Sequence, residues 1–161
     1  MEIPCLRPAR GKHYRKACRW SHGRTNPEKA KAILEEAIAL NPEHIQAWRQ
    51  LGNKFMDLQD YKKAGKVFEK VLALGVQDPE IFFNLGYVYT LDGQYAYAEQ
   101  MYSRVLPFKP SYLDEAYFNL AYVQNKQGKL DESMANLNQA LQINPENRSA
   151  RKLLQSISSN R

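Results

Sequence analysis

The sequence predicts an all-α chain of helix pairs, each stacked on the next. Three observations predict it. The first is an internal repeat. Trp48-Arg49-Gln50-Leu51-Gly52 recurs as Phe82-Phe83-Asn84-Leu85-Gly86 and again as Tyr117-Phe118-Asn119-Leu120-Ala121, at steps of 34 and 35 residues. A fixed period of that size marks a repeat architecture. The second is a companion signature in the same phase: Gly52 is followed by Ala64 and Phe68, Gly86 by Ala98 and Tyr102, and Ala121 by Ser133 and Leu137. The third is the placement of proline, with Pro110 and Pro145 each closing a unit.

Each element follows from local chemistry. In every unit a first helix carries an aromatic, a Leu and a small residue, and a second carries Ala or Ser with a large residue four positions on. Residues three and four apart share one helix face. The small residues let two helix backbones approach, and the large ones (Trp48, Phe82, Tyr117, Phe68, Tyr102, Leu137) fill the gaps between units. Asn26-Pro27 reads as an N-cap followed by proline at the first helical position. Asn41-Pro42, Lys109-Pro110 and Asn144-Pro145 end helices, because the residue before proline is pushed out of the helical region. Pro107 ends or distorts its own helix early. Gly93 and Gly128 fit the left-handed position of the turns inside a pair. The expected helices are 27–40, 44–57, 60–73, 78–91, 94–106, 112–126, 130–143 and 147–157. The 35-residue step places one extra residue near Ser111 to Leu113. The last helix sets Ala150, Leu153, Leu154 and Ile157 against Arg148, Arg151 and Lys152, which reads as a polar cap.

The repeat resembles the tetratricopeptide repeat family over about residues 27 to 158. The resemblance implies tetratricopeptide-type helix-turn-helix repeats stacked as a short right-handed solenoid with a C-terminal capping helix. The units run at about 11–44 (partial), 45–78, 79–113 and 114–147, with a cap at 148–158. The domain is 27–161, preceded by a basic segment at 1–26.

That segment holds seven Lys and Arg against Glu2, a net +6, while the remainder balances 16 bases with 16 acids. It supports three readings. Tyr14 falls at the Trp48 position and Cys18 at the Gly52 position one period back, so it reads as a worn first helix. Gly11-Lys12-His13-Tyr14-Arg15-Lys16-Ala17-Cys18 resembles the later half of the SEC-C zinc motif. It departs from that motif at Ala17 and in its early cysteines, and leaves Cys5, His13, Cys18 and His22 as the candidate ligands of a four-coordinate zinc. Seven cations interleaved with Tyr14 and Trp20 also suit phosphate contact and base stacking.

Other function classes find little support. Two cysteines exclude a disulfide-stapled small domain. No apolar run reaches the roughly 18 residues of a membrane span, and no secretory signal is visible. The expectation is a cytoplasmic protein. His13, His22 and His44 pair with no nucleophile pattern. Gly65-Lys66-Val67 and Gly128-Lys129-Leu130 lack the rest of a phosphate loop. Glu35 and Glu36 are adjacent on a helix and point apart. Asn147-Arg148-Ser149 is a formal glycosylation triplet, inert without export. The chain therefore reads as a non-enzyme with no cofactor.

The family resemblance implies that positions 2, 5, 9, 12 and 13 of each unit face a ligand. These are Gln46, Arg49, Asn53, Met56 and Asp57; Glu80, Phe83, Tyr87, Thr90 and Leu91; and Glu115, Phe118, Tyr122, Asn125 and Lys126. The aromatics among them are extra to the packing aromatics, which points to a recognition patch. A carboxylate clamp, by which some members hold a C-terminal carboxylate, finds Arg49, Asn53 and Asn84 in place but Glu115 and Asn119 where its cations belong. The functional expectation is a scaffold binding a peptide or helix through Arg49, Asn53, Phe83, Asn84, Tyr87, Phe118 and Tyr122. The alternative places zinc or nucleic acid at the N-terminal segment, with the repeats as a spacer. Self-association through repeat ends is a third option.

Overall fold

A computed structural model describes residues 27–159 of the chain. The described residues form eight α-helices and no strand: α1 Pro27–Leu40, α2 Ile45–Asp57, α3 Tyr61–Ala73, α4 Pro79–Leu91, α5 Tyr95–Val105, α6 Leu113–Lys126, α7 Leu130–Ile143 and α8 Arg148–Ser159. All eight lie within two residues of the predicted spans. The small offsets at helix starts arise because the predicted spans include the caps. His44 Nδ1 accepts from Ala47 N at 3.3 Å, and Asp60 Oδ1 accepts from Lys63 N at 3.2 Å. Asp78 Oδ1 accepts from Glu80 N at 2.8 Å. Each satisfies an amide that the helix itself leaves unpaired.

Pro107 acts as expected. The last turn of α5 tightens into a 3-10 turn at Leu106–Phe108, and Lys109 follows in the left-handed region at φ 46°. The extra residue of the longer repeat falls in the first turn of α6, where Tyr117 lies one residue further from the helix start at Leu113 than Phe82 lies from Pro79.

The chain divides into two compact units, one ending at Ile81 and one beginning at Phe82. In the first, α1 packs on α2 and α2 on α3. Its core is Ala47, Leu51, Phe55, Met56, Ala64, Val67, Phe68 and Val71. A Cβ built on Gly52 would stand 2.5 Å from the Phe68 ring, so glycine here is what lets the ring seat. In the second unit α5 packs on α6, α6 on α7, and α7 on α8. Gly86 stands in the same relation to Tyr102, with a built Cβ at 2.7 Å. Phe118, Ala121, Leu137, Ala140, Ala150 and Ile157 form one buried cluster, which α8 closes. The outward side of α8 carries exposed Arg148, Arg151, Lys152 and Gln155. Gln155 falls one period beyond Ala121, where a further unit would need a small residue.

The turns inside the three pairs share one construction. Asp60 N, Gln94 N and Lys129 N donate to Phe55 O, Tyr89 O and Gln124 O, each at 2.9 Å. This Schellman closure requires a left-handed residue just before the donor. Gly93 at φ 74° and Gly128 at φ 76° supply it, as the sequence predicts. The first pair places Gln59 there at φ 59°. A side chain in that conformation costs about 1–2 kcal/mol. Gln59→Gly is therefore expected to raise stability by about 0.5–1 kcal/mol, once the greater freedom of glycine in the unfolded chain is deducted. Urea unfolding of the two proteins checks it.

Candidate functional site

The sequence-predicted site residues separate into three groups. Arg49 and Asn53 lie on α2. The Arg49 guanidinium is bound by Asp78 at 2.7 Å, with both side chains partly exposed. Asn53 Nδ2 meets Glu80 Oε1 at 3.5 Å. Asp78 also caps α4, so Arg49 acts first as a brace between α2 and the start of α4. One of the chain's own carboxylates already holds the cation that a carboxylate clamp would offer, and Glu115 replaces a second cation. The clamp is not supported by this geometry.

The second group is Phe83, Asn84 and Phe118, and here the expectation of an exposed patch needs correction. Phe83 and Asn84 are fully buried, and Phe118 nearly so. Phe83 sits edge-to-face with Tyr102, centroids 5.5 Å apart, and with Tyr112 at 5.1 Å. Phe118 belongs to the cluster closed by α8. The physical reason is the size of the apolar stripe. On α4 and α6 the buried stripe also takes in the residue after the signature aromatic, Phe83 and Phe118, whereas Arg49 at the same place on α2 stays partly exposed. Meanwhile Trp48 and Tyr117, assigned to packing, are only half-buried, and Trp48 Nε1 donates to Pro42 O at 2.8 Å.

Tyr87 and Tyr122 form the third group. Tyr87 is 9% exposed and neighbours the buried Tyr102. Burial pushes the Tyr102 hydroxyl well above the ordinary tyrosine value; Thr90 and Asn119 oppose this, and Tyr87 adds to it. Tyr87 therefore stands at the edge of a polar centre inside the core. Tyr122 is half-buried, and the Lys126 ammonium lies 5.5 Å from its ring centroid, within cation–π range. Lys126 stands among the ligand-facing positions the family resemblance implies but not among the seven residues expected to carry binding. Its spacing of four from Tyr122 was the signal that pairs the two.

A second feature that sequence reasoning missed is a polar network across α5, α6 and α7. Glu99 accepts from Gln124 Nε2 at 3.1 Å, Gln127 Nε2 at 2.8 Å and Lys129 Nζ at 2.6 Å. Gln124 Oε1 in turn accepts from Asn136 at 2.7 Å. Burial works against the Glu99 charge. The hydrogen bonds from Lys129, Gln124 and Gln127 together outweigh it, and its carboxyl stays below the ordinary value of 4.5. A lowered folded value means the contribution is complete above the ordinary value and is lost as pH falls through the folded one. Glu99→Ala is expected to lose about 1–2 kcal/mol at neutral pH. The difference from the parent should shrink in acid, as urea midpoints measured from pH 7 to pH 3 would show.

Comparison with known proteins agrees with this construction. Models of the tetratricopeptide repeat match residues 23–82 and 114–147. The chain belongs to the tetratricopeptide repeat family. Protein bimA of Emericella nidulans is 32% identical over 120 residues, covering 71% of this chain. The chain spans only 14% of that relative's length. Among solved structures, MamA from Desulfovibrio magneticus RS-1 superposes with a TM-score of 0.77 at 24% identity, over 94% of this chain and 85% of the other. The first tetratricopeptide repeat domain of Spaghetti (RPAP3), bound to the HSP90 peptide SRMEEVD, gives 0.65 at 22% identity, over 72% of this chain and 91% of that one. At these identities the structural likeness speaks for the fold, and the expected all-α tetratricopeptide fold class is borne out.

The zinc candidates Cys5, His13, Cys18 and His22, and the whole basic segment 1–26, lie outside the described residues. Within the described residues no group of three or more His, Cys, Asp or Glu is placed to hold a metal ion. No described helix is long and apolar enough to cross a membrane.

Proposed function

We propose that this chain is a non-catalytic protein-binding scaffold that takes a peptide or helix of a partner on its first-helix faces. Family membership supports the general role, since these repeats generally serve as protein-binding scaffolds. The RPAP3 domain that shares the fold was solved with a bound peptide, which is support by analogy of architecture. The observation that carries the finer reading is the pair on α6: a half-buried Tyr122 ring with Lys126 beside it. Its neighbours in the expected contact set, Phe83, Asn84 and Phe118, are spent on the core. An aromatic with one wet face and an adjacent cation suits an apolar side chain flanked by an acid. On the other unit Arg49 and Asn53 offer a polar face, reached by a ligand carboxylate only in exchange for Asp78. Tyr87 is too enclosed to be a principal contact.

The test is capture of partners by the intact chain and by Tyr122→Arg, with equal helicity confirmed by circular dichroism. The expected result is a partner held by the parent and lost by the variant. A partner held equally by both removes the α6 face from the proposal. Arg49→Gln, assayed beside it, reports on the α2 face separately. The rival reading, in which the N-terminal segment binds zinc or nucleic acid, predicts instead that deleting residues 1–24 abolishes capture while Tyr122→Arg does not.

A further inference from the structure

The second helices of the three complete pairs can be compared in register. The first outward position is Lys62 in α3, Ala96 in α5 and Asp131 in α7. The second is Lys66, Gln100 and Ala135, and the third is Lys70, Arg104 and Gln139. All nine residues are exposed. Only α3 fills all three places with lysine. Four residues advance about 6 Å along a helix, so the three ammonium groups form a row about 12 Å long. Like charges at this spacing oppose the helix that carries them. Among the described residues none of the three lies in an ion pair, and Asp60 is taken by Lys63 at 2.6 Å. Glu69, the one acid of α3, already has a partner. The chain's own basic segment, at net +6, carries a single acid, Glu2.

We propose that the outward face of α3 is a second docking surface, fitted to an acidic segment of a partner protein. The carboxylates it would match stand about 6–7 Å apart. That separation arises at every second residue of an extended strand or every fourth of a helix. A protein segment is favoured over a nucleic acid by what flanks the row. The exposed positions of α3 are lysines, Glu69 and Ala73, with no aromatic ring on which a base would stack. No arginine is present to fork onto phosphate. This surface is separate from the Tyr122 face, lying on another helix of another unit, and it does not depend on that reading.

The test uses the full chain and a fluorescently labelled peptide with glutamate at every second position, titrated at low salt by anisotropy. The triple variant Lys62→Gln, Lys66→Gln, Lys70→Gln is expected to weaken binding about tenfold or more. Its thermal midpoint is expected at or above the parent's, because the repulsion is gone. The charge-matched control Arg148→Gln, Arg151→Gln, Lys152→Gln on α8 keeps the parent's affinity. Added salt narrows the gap between parent and α3 variant. Several results overturn the proposal: no peptide binding by the parent, equal loss in both triple variants, no loss in the α3 variant, or a fall in its thermal midpoint. A single-stranded oligonucleotide of equal charge that binds tighter than the peptide also overturns it and assigns the row to nucleic acid.

Discussion

Phe83→Ala is expected to cost about 3–5 kcal/mol of stability. The ring is fully buried, and truncation removes both its transfer energy and its edge-to-face contacts with Tyr102 and Tyr112. Little can collapse into the space, because Tyr102 is itself enclosed. The effect separates the two roles open to this residue. A ligand contact would leave the unfolding midpoint near the parent's and lower affinity alone. A core residue lowers the midpoint and leaves affinity intact in whatever fraction stays folded. Equilibrium urea unfolding, followed by circular dichroism, reads the difference. Repeat proteins gain stability largely from each unit and its neighbours, so amide exchange should show the loss concentrated in the residues of α4, α5 and α6.

Gly86→Ala carries the second large effect, and its sign is the interesting part. An alanine inside a helix gains about 1 kcal/mol over glycine from backbone propensity alone. At Gly86 the new methyl would meet the Tyr102 ring at 2.7 Å. Tyr102 is fully buried and cannot swing aside without moving its surroundings. Overpacking of that kind costs about 1–3 kcal/mol, and this is the unfavourable end of the range because a rigid ring bears the collision. The expected result is a net loss of about 1–2 kcal/mol. Gly52→Ala should behave alike, since the built Cβ stands 2.5 Å from Phe68. Replacing Tyr102 by Leu in the Gly86→Ala background should recover part of the loss. Without that recovery the ring is not the cause.

Most of the fold was legible in the sequence, and the reason is physical. The 34-residue period registers small against large residues at Gly52 with Phe68 and Gly86 with Tyr102, and those pairings recur in the structure. Prolines and glycines marked helix ends because their backbone constraints are local. The candidate site was less legible. Whether Phe83 faces a partner or the core depends on how much space the adjacent helices leave, and a helix-face argument on one strand of sequence contains no such measure. The same limit hid the Glu99 network, whose members lie 25 to 30 residues apart in sequence along three helices. It also hid the Arg49–Asp78 bond, which turns an expected ligand contact into a brace. Gln59 was missed for a different reason: the turn tolerates a side chain at a modest cost, so the residue type there carried no signal.

The seating of a ring on a bare backbone has an evolutionary corollary. Gly52 with Phe68, and Gly86 with Tyr102, behave as two halves of one character. Enlarging the glycine first produces a collision, and shrinking the ring first leaves a hole. The third pair, Ala121 with Leu137, holds a methyl and a smaller apolar group in the same two places, a different solution of similar combined size. Passage from one solution to the other by single substitutions crosses a less fit intermediate whichever half changes first. Such repeats should diverge in coupled steps, so that each inherits its pair as a unit even while the surface around it drifts freely.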